Sequence, residues 1–180
     1  MKKTYLLAMA LIALILSSCG SDQKPTPRVS VWGDETSHTT SMSNDKILVP
    51  FQRTNSNLAE VQVSLNGVPF NMWWDTGASI TCISALELQK LAKEGKFELN
   101  DVQGTILTKI ADGSTSESLV VNIKEIRIQG KDNNYLEVFD INAAVSASTD
   151  APLLLGQDVI QNLPKHSFNE IEGVIEFENN

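Results

Sequence analysis

Met72-Trp73-Trp74-Asp75-Thr76-Gly77-Ala78-Ser79 is the stretch on which the reading of this chain turns. An acidic residue rarely follows two tryptophans directly unless the fold has a use for it there. Val68 to Trp74 has the apolar and aromatic character of a strand. The small residues after Asp75 allow a tight turn and bring backbone N–H groups near its carboxylate. A carboxylate at the end of a buried strand costs several kcal/mol unless it is hydrogen-bonded or shares a proton. The expected donors are the backbone N–H of Gly77 and the hydroxyls of Thr76 and Ser79.

Working outward, Leu58 to Leu65 alternates apolar and polar residues, and Asn66-Gly67 turns the chain into Val68 to Trp74. Asn-Gly between two such runs predicts a hairpin that delivers Asp75 at the end of its second arm. On the far side, Ile80 to Ile83 stays extended. Ser84 and Glu87 then have the spacing of a capping box. The predicted helix buries Ala85, Leu88, Leu91 and Ala92 and stops at Gly95.

Thr105 to Ile110 and Ser118 to Ile128 read as two hydroxyl-rich arms of a projecting hairpin, joined through Asp112-Gly113. Tyr135 to Val145 is another strand. The apolar run Leu153-Leu154-Leu155-Gly156 predicts a buried strand followed by a short helix, Asp158 to Leu163, ended by Pro164. Asp158 reads as a charge favoured by the helix N-terminus. His166 to Asn169 and Val174 to Phe177 close the chain as a hairpin, with His166 expected at the surface. Near the start, Ile47 to Phe51 is a short strand whose Pro50 predicts an edge or a bulge.

Asp75-Thr76-Gly77-Ala78-Ser79 after a hydrophobic strand resembles the active-site signature of aspartic proteases. Leu153-Leu154-Leu155-Gly156-Gln157-Asp158-Val159-Ile160 resembles the hydrophobic-hydrophobic-Gly element of those families, and Ile110-Ala111-Asp112-Gly113-Ser114 is similar to their flap turn. The pieces occur in the family's order over about Ile47 to Phe177. They are most similar to the single-lobe, retropepsin-like group, which includes bacterial members. The resemblance implies an all-β fold, a closed barrel of one lobe per chain with one or two short helices. It also implies a peptide or protein substrate and neither cofactor nor metal.

On this resemblance Asp75 is the catalytic residue, supported by Thr76, Gly77, Ala78, Ser79, Leu154, Leu155 and Gly156. Ala111, Asp112, Gly113 and Ser114 form the flap, which departs from the glycine-rich viral tip. Aspartic proteases use two carboxylates that share one proton. Like charges about 3 Å apart repel by roughly 5 kcal/mol at an effective dielectric of 20, so one stays protonated as acid while the other serves as base. The chain has one Asp-Thr-Gly. Retropepsin-like enzymes draw one aspartate from each of two identical subunits, which implies a homodimer here. The rival reading is a non-catalytic module that keeps the fold for peptide binding or dimerisation.

The 180 residues are 42% hydrophobic and 20% charged, which suits one ordinary globular domain. Met1-Lys2-Lys3 precedes an apolar run from Tyr5 through Leu16, the charge-then-apolar order of a secretory signal and too short for a comfortable membrane span. Leu16-Ser17-Ser18-Cys19 resembles a bacterial lipobox. The division expected is therefore a signal peptide over 1–18, a polar tether over 19–46 from a lipidated Cys19, and the folded domain over 47–180. As a flexible coil the tether would reach roughly 30 Å. This places the domain in the bacterial cell envelope, anchored to a membrane by its lipid, with the outer membrane favoured because Gly20 and not Asp follows the cysteine.

The net charge of −8 gives no electrostatic case for nucleic acid as a partner. Once Cys19 is lipidated, Cys82 is the remaining thiol and an internal disulfide is excluded. Its apolar setting reads as a small buried hydrophobe. Neither His38, in the tether, nor His166 has neighbours in sequence that would complete a metal site.

Overall fold

The computed structural model describes residues 40–41, 46–109, 113 and 115–178. The expected signal peptide, Cys19 and most of the tether lie outside them, as do Ala111, Asp112 and Ser114 of the expected flap. The strands are β1 (Thr40–Ser41), β2 (Ile47–Arg53), β3 (Ala59–Leu65), β4 (Val68–Trp74), β5 (Cys82–Ser84), β6 (Val102–Lys109), β7 (Thr115–Gln129), β8 (Tyr135–Ser146), β9 (Leu154–Leu155), β10 (His166–Asn169) and β11 (Val174–Phe177). Among the described residues two α-helices, α1 (Ala85–Lys93) and α2 (Gln157–Ile160), and a 3-10 turn at Leu99–Asp101 interrupt them. Among the described residues no helix is long and apolar enough to cross a membrane.

Local chemistry explains the short-range elements. Asn66 and Gly67 both have positive φ, 49° and 83°, the conformation that a two-residue hairpin turn with right-handed twist requires, and they join β3 to β4 in register from Ala59↔Trp74 to Leu65↔Val68. Ser84 caps α1: its side chain accepts from the Leu86 N–H, and Glu87 reaches back to the Ser84 N–H at 3.1 Å. At the other end the Gly95 N–H donates to Ala92 O. Ala85, Leu88, Leu91 and Ala92 are the buried face.

The sheet runs β10-β11-β2-β3-β4-β9-β5-β8-β7-β6, and β3 also pairs with β7 through Val63↔Ile128 and Leu65↔Ile126. That second pairing closes β3, β4, β9, β5, β8 and β7 into a ring, the closed β-barrel. Alternation does the filling: Val61, Val63 and Leu65 of β3, Phe70 and Met72 of β4, and Ile123, Ile126 and Ile128 of β7 are buried in one core.

Two expectations change. Pro50 does not mark an edge: β2 pairs with β11 over Ile47–Pro50 and with β3 over Phe51–Arg53, so the proline falls where the pairing changes sides and its missing N–H is least needed. Before Ile47, Thr40–Ser41 pairs with β8 opposite Glu137 and Leu136. His166 is half-buried, its ring 5.2 Å from that of Trp74 and 5.1 Å from that of Phe177. The β10–β11 hairpin thus folds over the end of β4. Within this cluster the Trp74 indole N–H is buried without a hydrogen-bond partner among the described residues.

Candidate active site

β4 ends at Trp74, and the chain turns through Asp75 to Ile80 before entering β5. The turn is held against β9, which runs parallel to β4 with Trp73↔Leu154 and Trp74↔Leu155 in register. The Trp73 N–H donates to Leu153 O at 2.8 Å and the Asp75 N–H to Leu155 O at 3.1 Å. Leu154 also faces Cys82 of β5, so β9 lies wedged between the strands that enter and leave the turn. Leu155 is fully buried and Leu154 half-buried.

The Asp75 carboxylate accepts the Gly77 N–H at 2.8 Å, and the Ala78 N–H donates to Asp75 O at 3.3 Å. Thr76, Gly77 and Ser79 are exposed, and Asp75 itself is half-exposed. Among the described residues neither the Thr76 nor the Ser79 hydroxyl bonds to the carboxylate, so Gly77 is the one expected donor in place within a single chain. Gly113 is exposed between β6 and β7, where the expected flap lies.

Beneath the turn lies a polar network. Thr81 is fully buried, and its hydroxyl donates to Asp158 Oδ1 at 2.7 Å while accepting the Gly156 N–H at 3.1 Å. The Thr81 N–H lies 2.9 Å from both Asp158 oxygens, and the Val159 N–H is 3.0 Å from Oδ1. The Thr81 carbonyl accepts the Ala144 N–H of β8 at 2.9 Å. Asp158 does sit in the first turn of a helix, as its sequence position predicts, but its bonds reach across the chain to Thr81 and lock α2 to the strand after the turn. Sequence reasoning missed Thr81. The available signal was a hydroxyl between Ile80 and Ile83, where an apolar residue would otherwise be expected.

Burial raises the pKa of Asp158 against the opposing pull of the Thr81 bonds. An acid whose pKa is higher folded than unfolded contributes stability that is present below the unfolded value and lost as pH rises through the folded one. The wild type is therefore expected to lose Tm as pH climbs from the ordinary carboxylate range through the raised pKa of Asp158, and Asp158→Asn to flatten that fall. Thermal unfolding at a series of pH values checks it, and parallel curves for the two proteins would refute it. Cys82 is half-buried, and burial, then Asp158 and Asp75, push its thiol up to about 11, so it stays protonated at neutral pH.

Among the described residues no group of three or more His, Cys, Asp or Glu side chains is arranged to hold a metal ion. What the site offers is a half-exposed carboxylate on a turn fixed from below by β9 and α2.

Comparison with curated proteins finds no match. Among solved structures, a retropepsin-like aspartic protease from Rickettsia conorii superposes with a TM-score of 0.55 at 16% identity, over 80% of this chain and 97% of that one. Residues 61–162, which include both the Asp75 turn and the Leu154-Leu155-Gly156 element, match the family model described as "gag-polyprotein putative aspartyl protease". The chain therefore belongs to this retropepsin-like aspartic protease family, and its closed barrel is that family's fold.

Proposed function

We propose that the protein is an aspartic endopeptidase whose dyad is Asp75 from each of two identical subunits. The observation that carries this reading is the state of Asp75 in one chain: its turn is backed by β9 and α2, yet Asp75 is half-exposed and the neighbouring Thr76 and Gly77 are exposed. A second copy facing the same turn supplies the missing carboxylate. The pair then holds one proton, and the ionised member activates a water against the scissile carbonyl while the protonated member supports the developing oxyanion. Thr76 is assigned a bond across the two-fold axis. Gly77 keeps its N–H on the dyad, and Ala78 and Ser79 complete the turn. Leu154, Leu155 and Gly156 back it, and residues 111–114 act as the flap over a peptide substrate.

The proposal extends to the location: Cys19 carries a lipid that anchors the domain in the bacterial cell envelope, with 1–18 removed and the residues up to the barrel serving as tether.

The test is the dependence of cleavage on protein concentration. Soluble Gly20 to Asn180 acting on a mixed peptide library is expected to show a rate per chain that rises with concentration and levels off where sedimentation shows the dimer filled. A rate per chain independent of concentration, from a monomer, would sink the two-chain dyad. A folded dimer without cleavage would leave a peptide-binding or dimerisation module instead.

A further inference from the structure

Gln157, the first residue of α2, touches the Asp75 turn twice. Its backbone N–H donates to Ala78 O at 2.8 Å, and its side-chain Nε2 donates to Thr76 O at 3.1 Å. The Thr76 carbonyl and the Gly77 N–H belong to one planar, trans peptide unit, so fixing the direction of one fixes the other. That same Gly77 N–H donates to Asp75 Oδ1 at 2.8 Å. The chain of contacts therefore runs from the Gln157 amide through a single peptide plane to the Asp75 carboxylate. Donation to the carbonyl also polarises the peptide and strengthens the N–H at its other end.

Nothing else among the described residues bonds to the Thr76 carbonyl. Thr76 and Gly77 are exposed, and without Gln157 this peptide would be free to swing its N–H away from Asp75. The backbone bond to Ala78 survives any side-chain substitution, so the amide has a separable task. We propose that Gln157 is a positioning residue that holds the Thr76–Gly77 peptide plane, and with it the Gly77 N–H, on Asp75. The catalytic consequence rests on the protease reading above, whereas the structural claim stands by itself.

The test compares Gln157→Met, which keeps length and loses the donor, with Gln157→Arg, which restores one. In Gln157→Met, amide hydrogen exchange at Gly77 is expected to quicken about tenfold, and kcat to fall about fivefold with KM within about twofold, the size expected for one lost hydrogen bond. Gln157→Arg is expected to recover both. Gly77 exchange unchanged in Gln157→Met would overturn the proposal. So would an arginine variant as impaired as the methionine one, since that marks a requirement for packing and not for a donor. A wild type that cleaves nothing, but whose Gly77 protection is lost in Gln157→Met, would keep the positioning role and overturn the protease reading alone.

Discussion

Asp75→Asn is expected to lower the rate of peptide cleavage by on the order of 10⁴-fold or more, because in the proposed symmetric dyad one substitution removes both carboxylates. Two amides hold no shared proton, activate no water and donate none to the leaving amine. The same variant is expected to fold as the wild type does and to keep the proposed dimer. Asp75 is half-exposed, and an asparagine oxygen at the same place still accepts the Gly77 N–H. The measurement is cleavage of a mixed peptide library from mildly acidic to neutral pH, with sizing and thermal unfolding of both proteins. Activity within about tenfold of wild type in the asparagine variant would place the chemistry on another residue. Joint loss of activity and of the dimer would make Asp75 a structural residue.

Gly156→Ala is expected to be the most destabilising single-methyl change in the site. A Cβ at Gly156 would lie 2.5 Å from Ile80 C, 2.7 Å from Ile80 O and 2.7 Å from Thr81 N. These are backbone atoms on the exit from the Asp75 turn, and no side chain can swing aside to make room. The conformation is not the obstacle, since φ −90° and ψ −178° suit any residue. Relief requires the turn and β9 to part, which breaks the Gly156 N–H bond to the Thr81 hydroxyl and strips one donor from the Asp158 network. The cost is about 3 kcal/mol or more, a fall in Tm of roughly 10 °C for a domain of this size. Thermal and denaturant unfolding read it directly. A variant within about 1 kcal/mol of wild type would mean that the turn is far more pliable than its bonding implies.

Both substitutions act where the sequence is most legible. Asp-Thr-Gly-Ala-Ser after an apolar run, Asn-Gly between alternating strands and Ser84 with Glu87 before a helix are signals written within a few residues. Each is short-range because the chemistry is: a turn needs positive φ, a cap needs an oxygen at one spacing, a strand shows its period in its own residues. The helix boundaries at Ser84 and Gly95 follow from the same local physics. The likeness of these pieces to a known family then carried the barrel, since local signals alone do not say how strands close.

Asp158 and His166 show where such reading ends. Their immediate neighbours in sequence predict a helix-terminal charge for the one and a surface ring for the other. Their partners are Thr81, 77 residues away, and the aromatic rings of Trp74 and Phe177. A hydrogen bond to a backbone carbonyl, such as that of Gln157 to Thr76, leaves no trace in the acceptor's identity, because every residue carries that carbonyl.

The sequence by itself determined the strand that delivers Asp75, the turn that follows it, the capped helix and the Leu-Leu-Gly element. The tertiary structure alone decided that β3 closes on β7, that β2 lies between β3 and β11, that Thr40–Ser41 joins β8, and that Gln157, Thr81 and Asp158 fasten the turn. The division is physical. Local signals are set by dihedral preference and by bonds within one turn of chain, whereas pairings between distant strands are chosen by the burial of the whole core against the entropy of closing long loops.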